Sequence, residues 1–240
     1  MFAQVHRAFG RGAEKGRDFL WSSSIFRAVS RVLVVGGGHA GLEAAFAAAR
    51  VGAHVRVVTG SITTVGQTPC NPSVGGVGKG HLVAEIEAMG GFMGRAGDAT
   101  AIHGKRLNTR KGPAVQATRL QVDKKRYGAY ARAALEGHAQ IETIEGLVTA
   151  LLVEHGRVRG VRCADGSTLE ADAVVLTTGT FLGGLLHTGE TKTPGGRVGE
   201  APATELSHCL RALGLKMSRL KTGTPARLRK DSINYEVCQA

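Results

Sequence analysis

Cysteine, proline and aromatic residues are all scarce in this 240-residue chain, which has four cysteines, six prolines and 5% aromatic residues. Cys70, Cys163, Cys209 and Cys238 lie far apart and form no Cys-x-x-Cys pair. That spacing argues against a zinc site and against the disulfide framework of a small secreted protein. The sequence therefore predicts no metal site and a reducing compartment.

Long apolar runs are also missing, since none approaches the roughly 20 residues that a transmembrane helix needs. We therefore expect no membrane partner. Glycine, by contrast, is abundant at 35 residues, without a collagen-like period or a Gly/Ser linker. The excess is expected in turns and close backbone approaches. A hydrophobic content of 42% is enough for the core of one or two domains.

Positive charge dominates, with 31 lysines and arginines against 19 acidic residues and a formal net charge of +12. Such a field attracts phosphate polymers, although organellar proteins are basic for other reasons as well. The net charge alone does not decide whether the protein binds a nucleic acid. The basic residues that could grip an RNA backbone are Lys105, Arg106, Arg110, Lys111, Arg119, Lys124, Lys125, Arg126, Lys221, Arg227, Arg229 and Lys230.

Residues 1–30 differ in composition from the rest of the chain. They hold five basic residues, only Glu14 and Asp18 as acids, and a serine-rich end. This composition is typical of a mitochondrial transit peptide and lacks the apolar region of a secretory signal. A disordered extension is the alternative, with a cytoplasmic location if the protein is bacterial. We assign 1–30 to a leader or extension and 31–240 to a dinucleotide-binding domain.

Residues 31–50, RVLVVGGGHAGLEAAFAAAR, predict a strand, a tight turn and an alanine-rich helix. Gly36, Gly38 and Gly41 fill the G-x-G-x-x-G pattern that admits a pyrophosphate at a helix start. A second strand follows at 54–59. The generic fingerprint expects an acid near its end to hold ribose hydroxyls, whereas this strand runs into Thr59 and Gly60. A standard NAD site is therefore disfavoured.

Further along, helical spacing predicts helices at 80–89 and 118–135, with a basic, glycine-containing loop between them. Residues 147–177 alternate like the strands of a β-meander and end in the apolar strand AVVLTTGT. We predict a loop at 192–199, a helix at 204–213 and a strand at 215–220. Together these elements predict one incomplete α/β unit.

The stretch VGQTPCNPSVGGVGKGH at 65–81 contains the Gly-Lys of a phosphate-binding loop but fails its spacing. Ser73 stands where the first glycine is needed, and Gly80 stands where a magnesium-binding hydroxyl is needed. The stretch is therefore not an ATP loop. Its glycines are better explained by a backbone that approaches a flat ligand or a phosphate, which Lys79 could also meet.

Six strings occur in order along the chain: GGGHAGLEAA, GQTPCNPSVGGVGKGHLV, LNTRKGPAVQATR, VVLTTGTFL, GGRVGE and GLKMSRLKTGTPARL. Together they resemble the MnmG/GidA family, and the likeness runs from residue 31 to about residue 235. The resemblance implies an α/β, Rossmann-like FAD-binding domain of the glutathione-reductase type with a β-meander. Because the family continues well beyond this point, we expect the domain to be its truncated N-terminal part.

The resemblance further implies FAD-dependent tRNA modification at the wobble uridine. In that family the product is 5-carboxymethylaminomethyluridine or its taurinomethyl counterpart, NADH reduces the flavin, a MnmE-type GTPase is the partner and the full-length protein is a homodimer. Two other classes stay open: a flavoprotein oxidoreductase acting on a small molecule, and a noncatalytic truncated protein that binds RNA or a partner. Activity of this chain alone is equally open.

The family's site residues carry over to matching positions. Ala203 stands where a bacterial relative has serine, so any contact there would use its backbone. The residues implied to bind FAD are Gly36, Gly37, Gly38, His39, Ala40, Gly41, Val148, Gly179, Thr180 and Ala203.

Cys70 is the candidate catalytic residue. A lone cysteine is most often a small buried hydrophobe. Its place in TPCNP, which resembles the family's S-C-N-P string beside the flavin, allows a thiolate that adds to uridine C6 and makes C5 nucleophilic. His81 and His103 are candidate general bases, although lone histidines are more often structural or solvated.

Overall fold

The computed structural model describes residues 31–69, 72–223 and 228–237. Its centre is a sheet of four parallel strands. Their spatial order is β10 (Ala173–Leu176), β1 (Arg31–Val35), β2 (His54–Thr59) and β6 (Ile141–Glu145). Strand β1 is the first strand of the described residues and lies inside the sheet, so its β-branched run RVLVV is covered on both faces.

Helices cover one face of this sheet. Val32 and Val34 of β1 point towards helix α1 (His39–Arg50) and join a core that includes Leu42 and Tyr127. Because side chains alternate along a strand, Leu33 points to the opposite face.

That opposite face is covered by an antiparallel meander of β7 (Val148–Glu154), β8 (Arg157–Cys163) and β9 (Thr168–Glu170). Helix α5 (Thr204–Ala212) packs beside it and contributes Leu206 and Leu210 to the same core. The molecule is thus layered as helices, parallel sheet and meander, as the sequence predicts for the region 147–177. The predicted helix at 204–213 also forms, one residue shorter.

A small second sheet lies beyond the helical layer. Its order is β3 (Ser73–Gly75), β5 (Ala117–Val122) and β4 (Ala101–Leu107), all antiparallel. Helices α2 (Lys79–Ala88) and α3 (Met93–Thr100) pack against it. The first of these confirms the helix predicted at 80–89.

The helix predicted at 118–135 is wrong in its first third. Residues there form β5, which pairs with β3 on one side and β4 on the other, so distant strands override the local helical spacing. Helix α4 begins only at Lys124 and runs to Glu136. Its start is set by Asp123, whose carboxylate accepts the backbone N–H groups of Lys125 and Arg126 at 2.9 Å.

Three other predictions need correction. The supposed basic loop between the helices contains α3 and β4. The supposed loop at 192–199 begins inside a hairpin of β11 (Leu185–Thr188) and β12 (Thr191–Pro194). Residues 215–220 form no strand, and Leu220 is 91% exposed, because no neighbouring strand pairs with this segment in the described ranges. No helix within those ranges is both long enough and apolar enough to cross a bilayer.

Candidate dinucleotide site

The glycine-rich turn after β1 is the central part of the candidate dinucleotide site. Gly36 has φ +114°, and a Cβ added there would lie 2.5 Å from the carbonyl oxygen of Thr177, the residue that follows β10. The Thr177 hydroxyl donates to the carbonyl of Val35 at 2.8 Å, and the Gly36 N–H donates to Val58 at 2.8 Å. The turn is therefore fixed to the carboxyl ends of two neighbouring strands.

The glycines of this turn have different surroundings. A Cβ at Gly41 would overlap the carbonyl oxygen of Gly36, and one at Gly37 would lie 2.8 Å from a methyl of Val65. A Cβ at Gly38 would meet nothing within 4 Å. Gly41 therefore serves the close packing of the helix start on the turn, Gly37 packs against Val65 in the loop after β2, and Gly38 leaves open space where a ligand can approach the backbone.

Helix α1 starts at this open space. Gly38 is its N-cap without a side-chain hydrogen bond, and its first turn contains no acidic residue. The first N–H groups of a helix have no partner within the helix. With the positive end of the helix dipole they form an anion site, here provided by His39, Ala40 and Gly41.

Val148 and Ala203 come together although 55 positions separate them in the sequence. Both line a recess of about 100 Å³ beside the first residues of the meander and of α5. The Ala203 N–H donates to Phe181 at 2.8 Å, and its carbonyl accepts from Gly183 at 3.3 Å and from Ser207 at 3.4 Å. Since the backbone N–H and carbonyl of Ala203 are already engaged, Ala203 offers a ligand its methyl group.

Gly179 and Thr180 lie in a single 3₁₀ turn, Gly179–Phe181, directly after β10. Gly179 has φ +54° and is exposed, with open space where a side chain would be. The Thr180 hydroxyl donates to the carbonyl of Gly196 at 2.9 Å. Gly179 can therefore border a ligand, while Thr180 holds the 195–200 loop in place.

Arg197 is a site residue that the sequence did not single out. Its guanidinium donates to the Gln67 amide oxygen at 2.6 Å, lies 5.4 Å from the centre of the Phe181 ring, and lies 3.7 Å from the Glu200 carboxylate. It therefore joins three loops that are far apart in the sequence. The string GGRVGE was one of the six family strings, and only the fold shows that its arginine reaches Gln67.

His39 is held neutral at the start of α1. Its ring packs edge-on against Tyr127 with 5.5 Å between centroids, and its Nδ1 is buried without a hydrogen-bond partner. Burial lowers the pKa of His39, and the nearby charge of Arg197 lowers it further. Burial likewise raises the pKa of the Tyr127 hydroxyl, with Glu43 as a second cause. A neutral imidazole adds no charge to the anion site.

Cys70, the candidate catalytic residue, lies outside the described residues. Two positions earlier in the sequence, the Thr68 side chain is buried, and its hydroxyl has no hydrogen-bond partner. The two ring nitrogens of His81 are also buried and without a hydrogen-bond partner, whereas His103 is exposed on β4.

The glycines of the 65–81 stretch also divide by role. Gly76 and Gly78 have positive φ and open surroundings. A Cβ at Gly80 would lie 2.7 Å from the Thr118 carbonyl oxygen, so this glycine serves the packing of α2 on β5. Lys79, at the start of α2, is exposed. Across the described ranges no three His, Cys, Asp or Glu side chains are grouped as a metal site.

The arrangement fits a flavin dinucleotide. The open Gly38 and the uncapped start of α1 suit a pyrophosphate. The recess at Val148 and Ala203 offers a place for one end of the ligand. The open backbone at Gly179 is a further steric feature of such a cradle.

A family model described as glucose inhibited division protein A matches residues 31–240. The chain belongs to this family. The MnmG/GidA resemblance seen in the sequence is thereby confirmed. MnmG of Thermus thermophilus, a tRNA uridine 5-carboxymethylaminomethyl modification enzyme, is 53% identical over 204 residues, which cover 85% of this chain and 34% of that protein. MnmG of Granulibacter bethesdensis is 52% identical over 208 residues, with 85% and 33% covered.

Solved structures of the GidA family share the fold. Aquifex aeolicus GidA superimposes with a TM-score of 0.80 at 46% identity, covering 86% of this chain and 34% of that one. A GidA-related protein from Thermus thermophilus gives 0.55 at 28% identity, covering 79% and 70%. The predicted Rossmann-like fold of the FAD-binding type is thus confirmed. This chain spans about a third of the length of the MnmG relatives that it matches.

Proposed function

We propose that this chain is the FAD-binding part of an enzyme that modifies uridine in tRNA. The observation that carries the proposal is the cradle formed by the open Gly38 and the uncapped start of α1, in a chain 53% identical to an enzyme named for tRNA uridine modification. A bound flavin supplies hydride acceptance and one-carbon chemistry. The protein contributes the positions of the reacting groups and the electrostatics.

The FAD would lie across the carboxyl ends of the parallel strands, where ligands of open α/β sheets bind. Gly36 to Gly41 would hold its pyrophosphate and Val148 its adenine side. Gly179 and Ala203 would border the rest of the cofactor. Arg197 would keep the loop containing Gln67 against the 3₁₀ turn at Phe181. Cys70 stays the candidate nucleophile by family resemblance.

Two local features support an RNA partner. Lys105 of β4 lies directly opposite Arg119 of β5, and like charges in such a pair repel each other. Lys124, Lys125 and Arg126 form the first turn of α4, where the helix dipole is already positive. A bound polyanion would neutralise both clusters of positive charge. Such phosphate contacts would position tRNA without reading its bases.

The finer features of the proposal come from the family resemblance. They are NADH as reductant, a MnmE-type GTPase as partner, a homodimer in the full-length enzyme and a carboxymethylaminomethyl or taurinomethyl product. The leader at 1–30, which lies outside the described residues, favours a mitochondrial location over a cytoplasmic one.

One preparation of the full chain tests the proposal. We expect the purified protein to carry FAD, which its visible absorbance spectrum would show. NADH should bleach that flavin absorbance, and the protein should bind tRNA. RNA binding without any flavin would favour a noncatalytic protein instead. Bound flavin that turns over a small molecule with no RNA affinity would favour an oxidoreductase. Loss of the gene should remove the wobble modification, and intact modification would contradict the proposal.

A further inference from the structure

The end of β2 has no acid to hold a ribose. Thr59 occupies that position, and its side chain is turned towards the glycine loop, with Oγ1 3.0 Å from where a Cβ of Gly37 would lie. The side chain is also largely buried. A dinucleotide laid along this loop would place its adenosine ribose near the end of β2, where this fold class normally provides a carboxylate.

The neighbouring strand β6 provides a carboxylate at this place. Glu145 is the last residue of β6 and is the register partner of Thr59 in the parallel pair. Its Oε2 accepts the backbone N–H of Ile62 at 2.9 Å, in the turn that follows β2. The side chain therefore reaches back across from β6 to the end of β2.

The backbone fixes this arrangement. The Gly146 N–H donates to the Thr59 carbonyl at 2.8 Å, so the two strand ends cannot move apart without losing that bond. Val148, the residue predicted at the adenine side, follows only three positions after Glu145. Glu145 is thus tied to the end of β2 and precedes the adenine-side residue by three positions in the chain.

The chemistry of the group suits ribose. A carboxylate has about four acceptor positions, and the bond to Ile62 uses one of them. Glu145 is exposed, so a ligand can reach the remaining positions. Two vicinal hydroxyls are donors that match a carboxylate in the same way as in the standard fingerprint.

We propose that Glu145 is the acceptor for the adenosine ribose hydroxyls of FAD, in place of the acid missing from β2. The proposal rests on the FAD site described under Proposed function. It makes Glu145 a residue that selects a ribonucleotide over a deoxyribonucleotide. The competing explanation is that Glu145 serves only to fix the turn at Ile62.

The test compares two ligands in the full chain freed of cofactor: FAD, and an FAD analogue with 2′-deoxyribose in its adenosine half. We expect the unchanged protein to bind FAD roughly 10-fold or more tighter than the analogue, the scale of a hydrogen bond to a charged group. Glu145→Ala should weaken FAD binding by a similar factor and remove the preference. Binding is read from quenching of flavin fluorescence.

The Glu145→Gln variant distinguishes ribose recognition from stabilisation of the turn at Ile62. Its amide oxygen can still accept from Ile62, and it should keep the melting temperature while losing most of the preference. Glu142→Ala, an exposed glutamate on the same strand, is the matched control and should change nothing. A preference that survives in both Glu145 variants, or an equal loss for both ligands, would overturn the proposal. If the unchanged protein bound neither ligand, the FAD site itself would be refuted and this inference with it.

Discussion

Gly38 and Gly41 lie three positions apart in one loop and should respond oppositely to the same added methyl group. In Gly41→Ala the new Cβ would overlap the Gly36 carbonyl, a backbone contact that only separation of helix and strand can relieve. We expect a loss of several kcal/mol of folding stability, roughly 3 or more, as for other severe overpacking. Thermal unfolding and the yield of folded protein would show it.

Gly38→Ala is the counterpart. Its Cβ would meet no protein atom within 4 Å, and its backbone at φ −78° and ψ −173° is open to any residue. The melting temperature should stay nearly unchanged, while FAD affinity should fall at least 10-fold because the methyl occupies the space meant for the pyrophosphate. Unchanged flavin binding in this variant would contradict the assigned position of the pyrophosphate.

Arg197 should matter through what it connects. Arg197→Ala removes the bond to Gln67 and the contact with the Phe181 ring, and the side chain is only 25% exposed. We expect a cost of about 1.5–3 kcal/mol in the free energy of unfolding, the range for hydrogen bonds from charged groups. Arg211→Ala, on the exposed side of α5, is the control. Equal melting curves for the two variants would show that the three loops are held by other contacts.

His39 should make stability depend on pH. Its pKa in the folded protein is below the ordinary value of about 6.5. The unfolded chain therefore takes up a proton first as the pH falls, so the contribution of neutral His39 is complete above about pH 6.5 and is lost below it. His39→Gln should flatten this part of the stability profile. Chemical unfolding at several pH values measures it, and parallel profiles would argue against the shift.

At the scale of elements, Glu43 links two helices. From the middle of α1 its carboxylate accepts the backbone N–H groups of Phe92 and Met93 at 2.6 to 3.1 Å, which satisfies the start of α3. Glu43→Ala should cost about 1–2 kcal/mol, as for the loss of a helix cap. Glu85→Ala on α2, exposed, is the matched control. Hydrogen exchange at the first amides of α3 should speed up only in the Glu43 variant.

The boundary of α4 shows how far local patterns reach. The helix predicted at 118–135 includes Leu120, but residues 118–122 lie in the central strand of a sheet whose partners begin at residues 73 and 101. Strand pairing over such a separation is not visible in a local window. The capping signal at Asp123 was local and would have placed the start of α4 correctly.

At the scale of the whole molecule, the net charge of +12 should appear as a steep salt dependence of the tRNA binding proposed above. Arg106→Glu, on the exposed strand β4, should lower the slope of log affinity against log salt concentration by about one, the value for one phosphate contact. Arg157→Glu makes the same charge change on the meander. Equal slopes in both variants would show that net charge, and not the β4 surface, governs binding.

The sequence by itself determined the strand, glycine turn and helix at 31–50, the meander and the family. Each depends on residues close together in the chain: β-branched runs, turn glycines and motif strings. Only the tertiary structure decided which strands meet and therefore which side chains share a site. Arg197 reaches Gln67 across 130 positions, and Glu145 reaches Ile62 because β6 lies beside β2. The acid that the sequence lacked at Thr59 is supplied from a neighbouring strand, because strand order is set by the packing of both sheet faces and not by local spacing.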